Sequence, residues 1–229
     1  LKFIYRVYNI ILSVGCMKVA WHGHACVSLE LSNGYTIVFD PHDGGSIGLE
    51  RPGVKADLVL VTHDHFDHNA VDVVKKNKTR VFKEFVGEAV VDNVRIEGFE
   101  SFHDKAGGKR RGGNTIYLVE VNERRVVHMG DLGDKPSSDV VSKLRGVDLL
   151  IIPVGGFYTI EPHEAWDIAR SLNPLNILPI HYWVKGLNLP IKPVDEFLKL
   201  VEGFNIVKLD SNFFTLENYE KTVLIPRFG

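Results

Sequence analysis

Glutamine is absent from this sequence, and methionine and cysteine occur only twice each. No apolar run approaches the roughly 20 residues that a bilayer-spanning helix takes. Two cysteines, Cys16 and Cys26, are too few for a disulfide framework and lack zinc-ribbon spacing. The chain is therefore expected in a reducing compartment, the cytoplasm, with any metal held by histidine and aspartate. A dominant charge is missing too. A net charge of -2 and a pI near 6.6 give no global reason for nucleic acid or an anionic membrane as partner. The scarcity of Met and Cys and the lack of Gln suggest a heat-adapted source.

What is present is 229 residues with 45% hydrophobic content, enough for one large core. A single domain is expected over 17–229. Residues 1–16 place Lys2 and Arg6 before Ile10-Ile11-Leu12, but Arg6 and Asn9 interrupt the apolar stretch, so no export signal is expected. They are read as an extension ahead of Met17-Lys18-Val19, which starts the first strand.

The densest chemistry lies in His63, Asp64, His65, Phe66, Asp67 and His68. These follow the apolar run Asp57 to Thr62, read as a buried strand, and precede Asn69 to Lys76, read as a helix. Imidazole and carboxylate are donors that zinc takes. At a strand end His63 and His65 point the same way, and Asp67 and His68 fall on the turn beyond.

Alternation predicts strands at Lys18 to Trp21, Ala25 to Leu31 and Tyr35 to Phe39, with a hairpin turn at Ser32-Asn33-Gly34. A loop runs from Asp40 to Gly53. Beyond the cluster the pattern predicts a strand at Thr79 to Phe82, a short helix over Glu84 to Val91, and a strand pair over Val94 to Phe102 ending at His103. Asn114 to Val121 and Arg125 to Met129 form a hairpin that delivers Asp131. A strand at Val147 to Val154 leads to a helix beginning near Pro162 and stopping at Asn173-Pro174. Leu175 to Ile180 delivers His181, Pro193 opens a last helix to Val201, and Ile206 to Leu209 closes the sheet. Two such blocks suggest two facing sheets with helices outside, a four-layer αββα arrangement in the α/β class.

His63 and His65, His103, Asp131 and His181 each follow an apolar strand on four different strands. With Asp67 and His68 they supply seven donors. That suffices for two ions at about 3.5 to 4 Å bridged by one carboxylate.

Thr62-His63-Asp64-His65-Phe66-Asp67-His68, His103, Gly130-Asp131 and His181, in this order, resemble the metallo-β-lactamase superfamily. Gly23-His24-Ala25-Cys26, His128-Met129-Gly130-Asp131, Pro153-Val154-Gly155-Gly156 and Pro179-Ile180-His181-Tyr182 resemble its small stand-alone metal-dependent hydrolases, a group that includes the ascorbate-6-phosphate lactonase type. The resemblance implies the αββα sandwich. It also implies that His63, His65 and His103 hold one divalent ion, that Asp67, His68 and His181 hold a second, and that Asp131 bridges. Asp40 would support the ligands from behind. An aspartate at 131 points away from true β-lactamases with a cysteine ligand, and His65 away from di-iron flavoprotein relatives. The added domains of glyoxalase II relatives and RNA-processing nucleases are not expected.

The expected chemistry is hydrolysis at a carbonyl or phosphoryl centre of a small, anionic ester, lactone or phosphoester, with metal-bound hydroxide as nucleophile and Asp67 accepting a proton. Zn is the expected metal, with Mn or Fe as alternatives. In the loop after His103, Lys109, Arg110 and Arg111 are placed to clamp an anion, with a solvated loop as the competing reading. Arg111 and Asn114 are the leading candidates. Tyr158, Thr159 and Tyr182 are candidates to line the pocket, against plain rim packing. His24 and His128 are expected either to support the ligands or to be structural hydrogen-bonded histidines. His22, His42 and His163 are read as exposed or loop residues, and Cys26 as a small buried hydrophobe. Phosphodiester or nucleic-acid cleavage, and metal-dependent ligand binding without turnover, are the alternatives.

Overall fold

The computed structural model describes residues 15–229. The extension expected over residues 1–16 lies outside that range except for Gly15 and Cys16. Strands β1 (Met17–Trp21), β2 (Val27–Leu31) and β3 (Thr36–Phe39) form the expected antiparallel meander. β4 (Ala56–Val61) pairs parallel with β3 and leads into the histidine cluster.

Helix α1 covers only Val71–Val74 rather than Asn69 to Lys76, and β5 (Lys75–Lys83) begins at once, absorbing the shorter strand expected at Thr79 to Phe82. Three of the four helical residues are valines, whose branched side chains favour strands over helices. At Lys75 the backbone turns extended, with ψ 151. β5 is an outer strand. Its exposed Lys75, Lys76 and Lys78 are charges that discourage edge-to-edge pairing.

The helix expected over Glu84 to Val91 is a strand instead. β6 (Gly87–Val91) forms a hairpin with β7 (Val94–Phe102) through Asp92-Asn93, at φ +48 and +69. Two positive φ values are the signature of the tight turn that matches strand twist. The strand pair expected over 94–102 is one continuous strand. Gly98 does not break it, but lets a carbonyl approach: a Cβ there would lie 1.8 Å from Phe85 O.

β8 (Gly113–Val121) and β9 (Arg124–His128) make the expected hairpin across Asn122-Glu123. Helix α2 (Ser138–Leu144) was not anticipated; Ser137 Oγ caps it by accepting Val140 N–H at 3.4 Å. β10 (Leu149–Pro153) is followed by α3 (Pro162–Leu172). That helix opens on reciprocal bonds between Glu161 and Glu164, and ends at Asn173 in the left-handed region. It buries Ala165, Trp166, Ile168, Ala169 and Leu172. β11 (Asn176–Ile180) and α4 (Asp195–Leu198) follow.

Three short strands complete the sheets: β12 (Asn205–Lys208), β13 (Phe213–Thr215) and β14 (Thr222–Ile225). The first sheet runs β13-β1-β2-β3-β4-β5, the second β12-β14-β11-β10-β9-β8-β7-β6. β12 closes the second sheet as expected, but through the unanticipated β14, while β13 crosses to the first sheet.

Alternation along the strands builds the layers. Ile37, Phe39, Leu58 and Leu60 face inward and join Ile96, Ile116 and Leu178 of the second sheet in one buried cluster. Val38, Val59 and Val61 turn the opposite way and pack against Val71, Val73 and Val74 of α1. Fully burying each such side chain contributes about 1.5–3 kcal/mol. α3 packs over β10 and against α2 and α4, which gives the four αββα layers. Among the described residues no helix is long and apolar enough to cross a membrane.

Candidate metal centre

The carboxyl ends of β3, β4, β7, β9 and β11 carry, in order, Asp40, His63, His103, Asp131 and His181. Within each sheet these strands run the same way. Their ends therefore share one rim, where ligands of open sheets gather.

Asp40 anchors the cluster. Residue 40 has φ +42, and its Oδ1 accepts the Thr62 N–H while its Oδ2 accepts the Thr62 hydroxyl, both at 2.7 Å. With its proton given to Asp40, Thr62 Oγ1 accepts from His63 Nδ1 at 3.0 Å. That bond leaves the lone pair of His63 on Nε2, which is buried and has no protein partner. His68 Nδ1 lies 3.1 Å from Asp40 Oδ2, which turns Nε2 toward Asp131. One carboxylate thus orients two imidazoles.

Asp131 is the hub. Its Oδ1 lies 3.4 Å from His68 Nε2, and its Oδ2 lies 3.2 Å from His103 Nε2 and 3.1 Å from His181 Nε2. One donor nitrogen from each of His63, His65 and His103 falls within 4.8 Å of the others, and the same holds for His24, His68 and His181. Asp67 Oδ2 is 3.0 Å from His24 Nε2 and 3.7 Å from His68 Nε2. All seven expected donors are brought together, and His24 groups with His68 and His181.

The remaining candidates divide. His128 is a buried strut: its Nε2 donates to Ala25 O and its Nδ1 accepts the Gly130 N–H, both at 3.0 Å, while its ring stacks on Phe39. Asn114, expected to touch substrate, is buried with its side chain fully engaged. Its amide donates to Ser101 Oγ at 2.8 Å and Met129 O at 2.9 Å, and its Oδ1 accepts Asp131 N–H at 2.9 Å. Tyr182 is likewise buried, its ring 4.9 Å from that of Trp21, so it packs the core rather than the pocket. Thr159 is buried beside Ile160 O. Arg111 and Tyr158 do meet at the surface. The guanidinium lies 4.9 Å over the Tyr158 ring, and Nη1 donates to Phe157 O at 2.9 Å. His42 is a loop residue, but a buried one, its Nε2 3.0 Å from His22 O.

Sequence reasoning passed over Thr62, whose hydroxyl fixes the His63 tautomer, and the exposed Phe66, Phe157 and Trp183 beside the ligand loops. Phe157 carries the clearest signal, a bulky residue at φ +62, visible only in three dimensions. A cleft of about 1050 Å³ bordered by His22, Arg51, Lys185 and Arg227, among others, is lined by none of the donors.

The electrostatics suit cations. Burial, then the neighbouring His68 charge, pushes His63 down to about 3, and burial followed by His181 pushes His24 down to about 3. Burial opposes ionisation of Asp131, but His181 and His68 outweigh it and hold the carboxyl well below its ordinary value. Neutral His24 and His63 and an ionised Asp131 are in the forms that bind metal, whereas His68, held charged by Asp131 and Asp40, gives up its proton on binding. Among the described residues, His63 Nε2, His68 Nε2 and Asp131 Oδ1 are buried within this donor cluster without a hydrogen-bond partner. Leaving such atoms unpaired costs about 1–3 kcal/mol each, so their concentration here marks a ligand position. Two donors bonded to one ion at about 2.0–2.2 Å stand roughly 2.8–3.8 Å apart. The separations of 3.1–3.7 Å from Asp131 and between Asp67 and His68 meet that requirement. The residues fit divalent metal.

Known proteins share this fold. The model of the β-lactamase superfamily domain matches residues 18–181. A UPF0173 metal-dependent hydrolase of Thermococcus onnurineus is 29% identical over 212 residues, covering 81% of this chain and 92% of the relative. A candidate Zn-dependent hydrolase of the metallo-β-lactamase superfamily from Thermotoga maritima superposes with a TM-score of 0.73 at 38% identity, over 91% of this chain and 98% of its own. The metallo hydrolase Igni18 of Ignicoccus hospitalis shares the fold, with a TM-score of 0.63 at 21% identity over 81% and 90% of the two chains. From its fold, its ordered donors and these matches, the chain belongs to the metallo-β-lactamase superfamily.

Proposed function

We propose that this metal-dependent hydrolase holds two divalent cations on either side of Asp131 and cleaves a small anionic ester, lactone or phosphoester. The observation that carries the reading is the position of the Asp131 carboxylate, with one oxygen toward His68 and the other toward His103 and His181. Zinc is the first choice, with manganese or iron accepted by the same nitrogen and oxygen donors. When bound, such cations acidify water toward neutral pH and polarise the oxygen of the bond under attack.

The chain's own residues do the rest. Asp67 keeps part of its side chain open to solvent, and burial is outweighed by the His24 contact and the His68 charge, so its carboxylate stays ionised. An ionised carboxylate there takes up the proton released during attack. Arg111, steadied by Tyr158 and Phe157 O, pairs with the anionic group of the substrate and orients the scissile bond over the donors. Asp104 shapes that loop: its Oδ2 accepts Arg110 N–H and Arg111 N–H at 2.9 and 2.8 Å, and its Oδ1 accepts Ala106 N–H at 2.7 Å. In this reading the enzyme works in the cytoplasm on a small molecule rather than on nucleic acid, in keeping with the net charge of -2.

The test is a screen of protein loaded with Zn, Mn or Fe against phosphorylated sugar lactones, carboxyl esters and phosphodiesters. Turnover of an anionic lactone or ester, abolished by chelation and restored by metal, is expected. Turnover of nucleic acid alone would overturn the substrate class. No turnover, with a small molecule recovered tightly bound, would make the chain a binding protein.

A further inference from the structure

His24 belongs to the β1–β2 turn, far in sequence from the ligands it meets. Its ring lies 4.2 Å from that of His181 and 4.9 Å from that of His68, centroid to centroid. The side chain is fully buried, Nε2 faces Asp67 Oδ2 at 3.0 Å, and Nδ1 has no protein partner. The ring is thus buried among the other donors, and Nε2 is the nitrogen it turns toward Asp67.

The backbone explains how the ring is aimed. Residue 24 takes φ +51, a left-handed conformation uncommon outside glycine. Its carbonyl accepts two N–H groups, from the Trp21 indole and from the backbone of His181, each at 3.0 Å. The turn is therefore tied to the residue that carries the His181 imidazole, itself at φ +51. Both rings are delivered to the same place by one pair of strained, mutually bonded positions.

We propose that His24 is a ligand of the second cation. Each ion is then held by three imidazoles, His63, His65 and His103 on one side and His24, His68 and His181 on the other. Asp131 lies between them, and Asp67 completes the second set. The proposal rests on the two-cation reading above. The 3.0 Å between His24 Nε2 and Asp67 Oδ2 falls within the roughly 2.8–3.8 Å that separates two donors bonded to one ion at about 2.0–2.2 Å. The second set would then offer more protein donors than the first.

The competing role for His24 is to steady Asp67 by a hydrogen bond alone. Chelated wild type, His24→Ala and His24→Gln are titrated with Zn against a chromophoric competitor, and with Co to follow the visible spectrum. Glutamine keeps an N–H for Asp67 but is a poor ligand. Wild type binds two ions. Both variants are expected to keep wild-type affinity for the first ion, which reports an intact fold, and to bind the second at least about 100-fold more weakly, with free imidazole restoring it in His24→Ala. The Co spectrum of the second equivalent changes in His24→Gln. A His24→Gln protein with wild-type affinity and an unchanged Co spectrum at the second site would overturn the ligand role and leave the two-cation reading standing. Wild type that takes up a single ion would overturn that reading instead.

Discussion

Asn114 Oδ1 accepts the backbone N–H of Asp131 at 2.9 Å, so an asparagine on β8 sets the carboxylate that stands between the two imidazole sets. Gly130 lets it do so: at φ +55, a Cβ there would lie 2.3 Å from that same Oδ1 and 2.6 Å from Thr62 Oγ1. The carboxylate is held through its own main chain, and its two oxygens stay turned toward the imidazoles.

Replacing Asn114 with alanine strands the Asp131 N–H and Met129 O in the interior. Destabilisation of about 1–3 kcal/mol is expected for each group left unpaired, together with a loss of metal affinity of roughly 10–100-fold. Urea unfolding of the chelated protein and competitive metal titration read the two effects separately. Unchanged metal affinity would show that Asn114 has no part in aiming Asp131.

His103→Ala and His181→Ala each remove a donor from a different side. Metal analysis should find one ion per chain in either variant, against two in wild type, whereas Asp131→Ala lowers affinity at both positions. Hydrolysis should fall by more than about 100-fold in all three. Retention of both ions by His103→Ala and His181→Ala would contradict the assignment.

In chelated protein His68 sits between Asp40 Oδ2 at 3.1 Å and Asp131 Oδ1 at 3.4 Å. Burial opposes its charge, but Asp131 and then Asp40 outweigh it and hold its pKa well above the ordinary imidazole value. A raised histidine contributes stability that is fully present below about pH 6.5 and is lost as pH climbs through the raised value. The depressed Asp40 and Asp131 contribute above about pH 4 and stay constant across this window. Metal binding gains over the same range, because protons cease to compete for His68. The Tm gap between loaded and chelated protein should widen from about pH 6 to about pH 9. A gap that narrows would contradict the placement of that proton.

Arg111→Met should raise KM for an anionic substrate by roughly 10–100-fold, the loss of a charged hydrogen bond, with a smaller change in kcat. Arg111→Lys should recover only part, since a lysine lacks the planar fork that bonds Phe157 O and covers Tyr158 at once. Asp104→Ala should move KM in the same direction by releasing the loop. Equal KM values across all three, measured by initial rates, would remove Arg111 from the substrate site.

Much of the fold was legible because apolar runs bounded by turn residues mark strands locally. β4 before His63, the β8–β9 hairpin and β11 before His181 all declared themselves this way. The segment Glu84 to Val91 did not, because its strand character depends on a hairpin with β7 and on Phe85 O lying over Gly98. β13 and β14 are too short to carry a pattern, and the sheet each joins is a matter of long-range pairing. Asn114 and Tyr182 were misplaced for a similar cause. Nearness in sequence to a ligand does not say whether a side chain lies above the site or beneath it.

The order and type of the donors were settled by the chain alone, because alternation within a strand and the turn that ends it act over a few residues. Which donors come within reach of one another was decided by the packing of two sheets, since the gap between His68 and His181, or between His24 and Asp67, depends on strands that no local pattern relates. The arrival of His24 beside His181 is the plainest instance: two carbonyl-bonded turns, each strained into a left-handed backbone, meet only once the fold has brought β1 and β11 to the same rim.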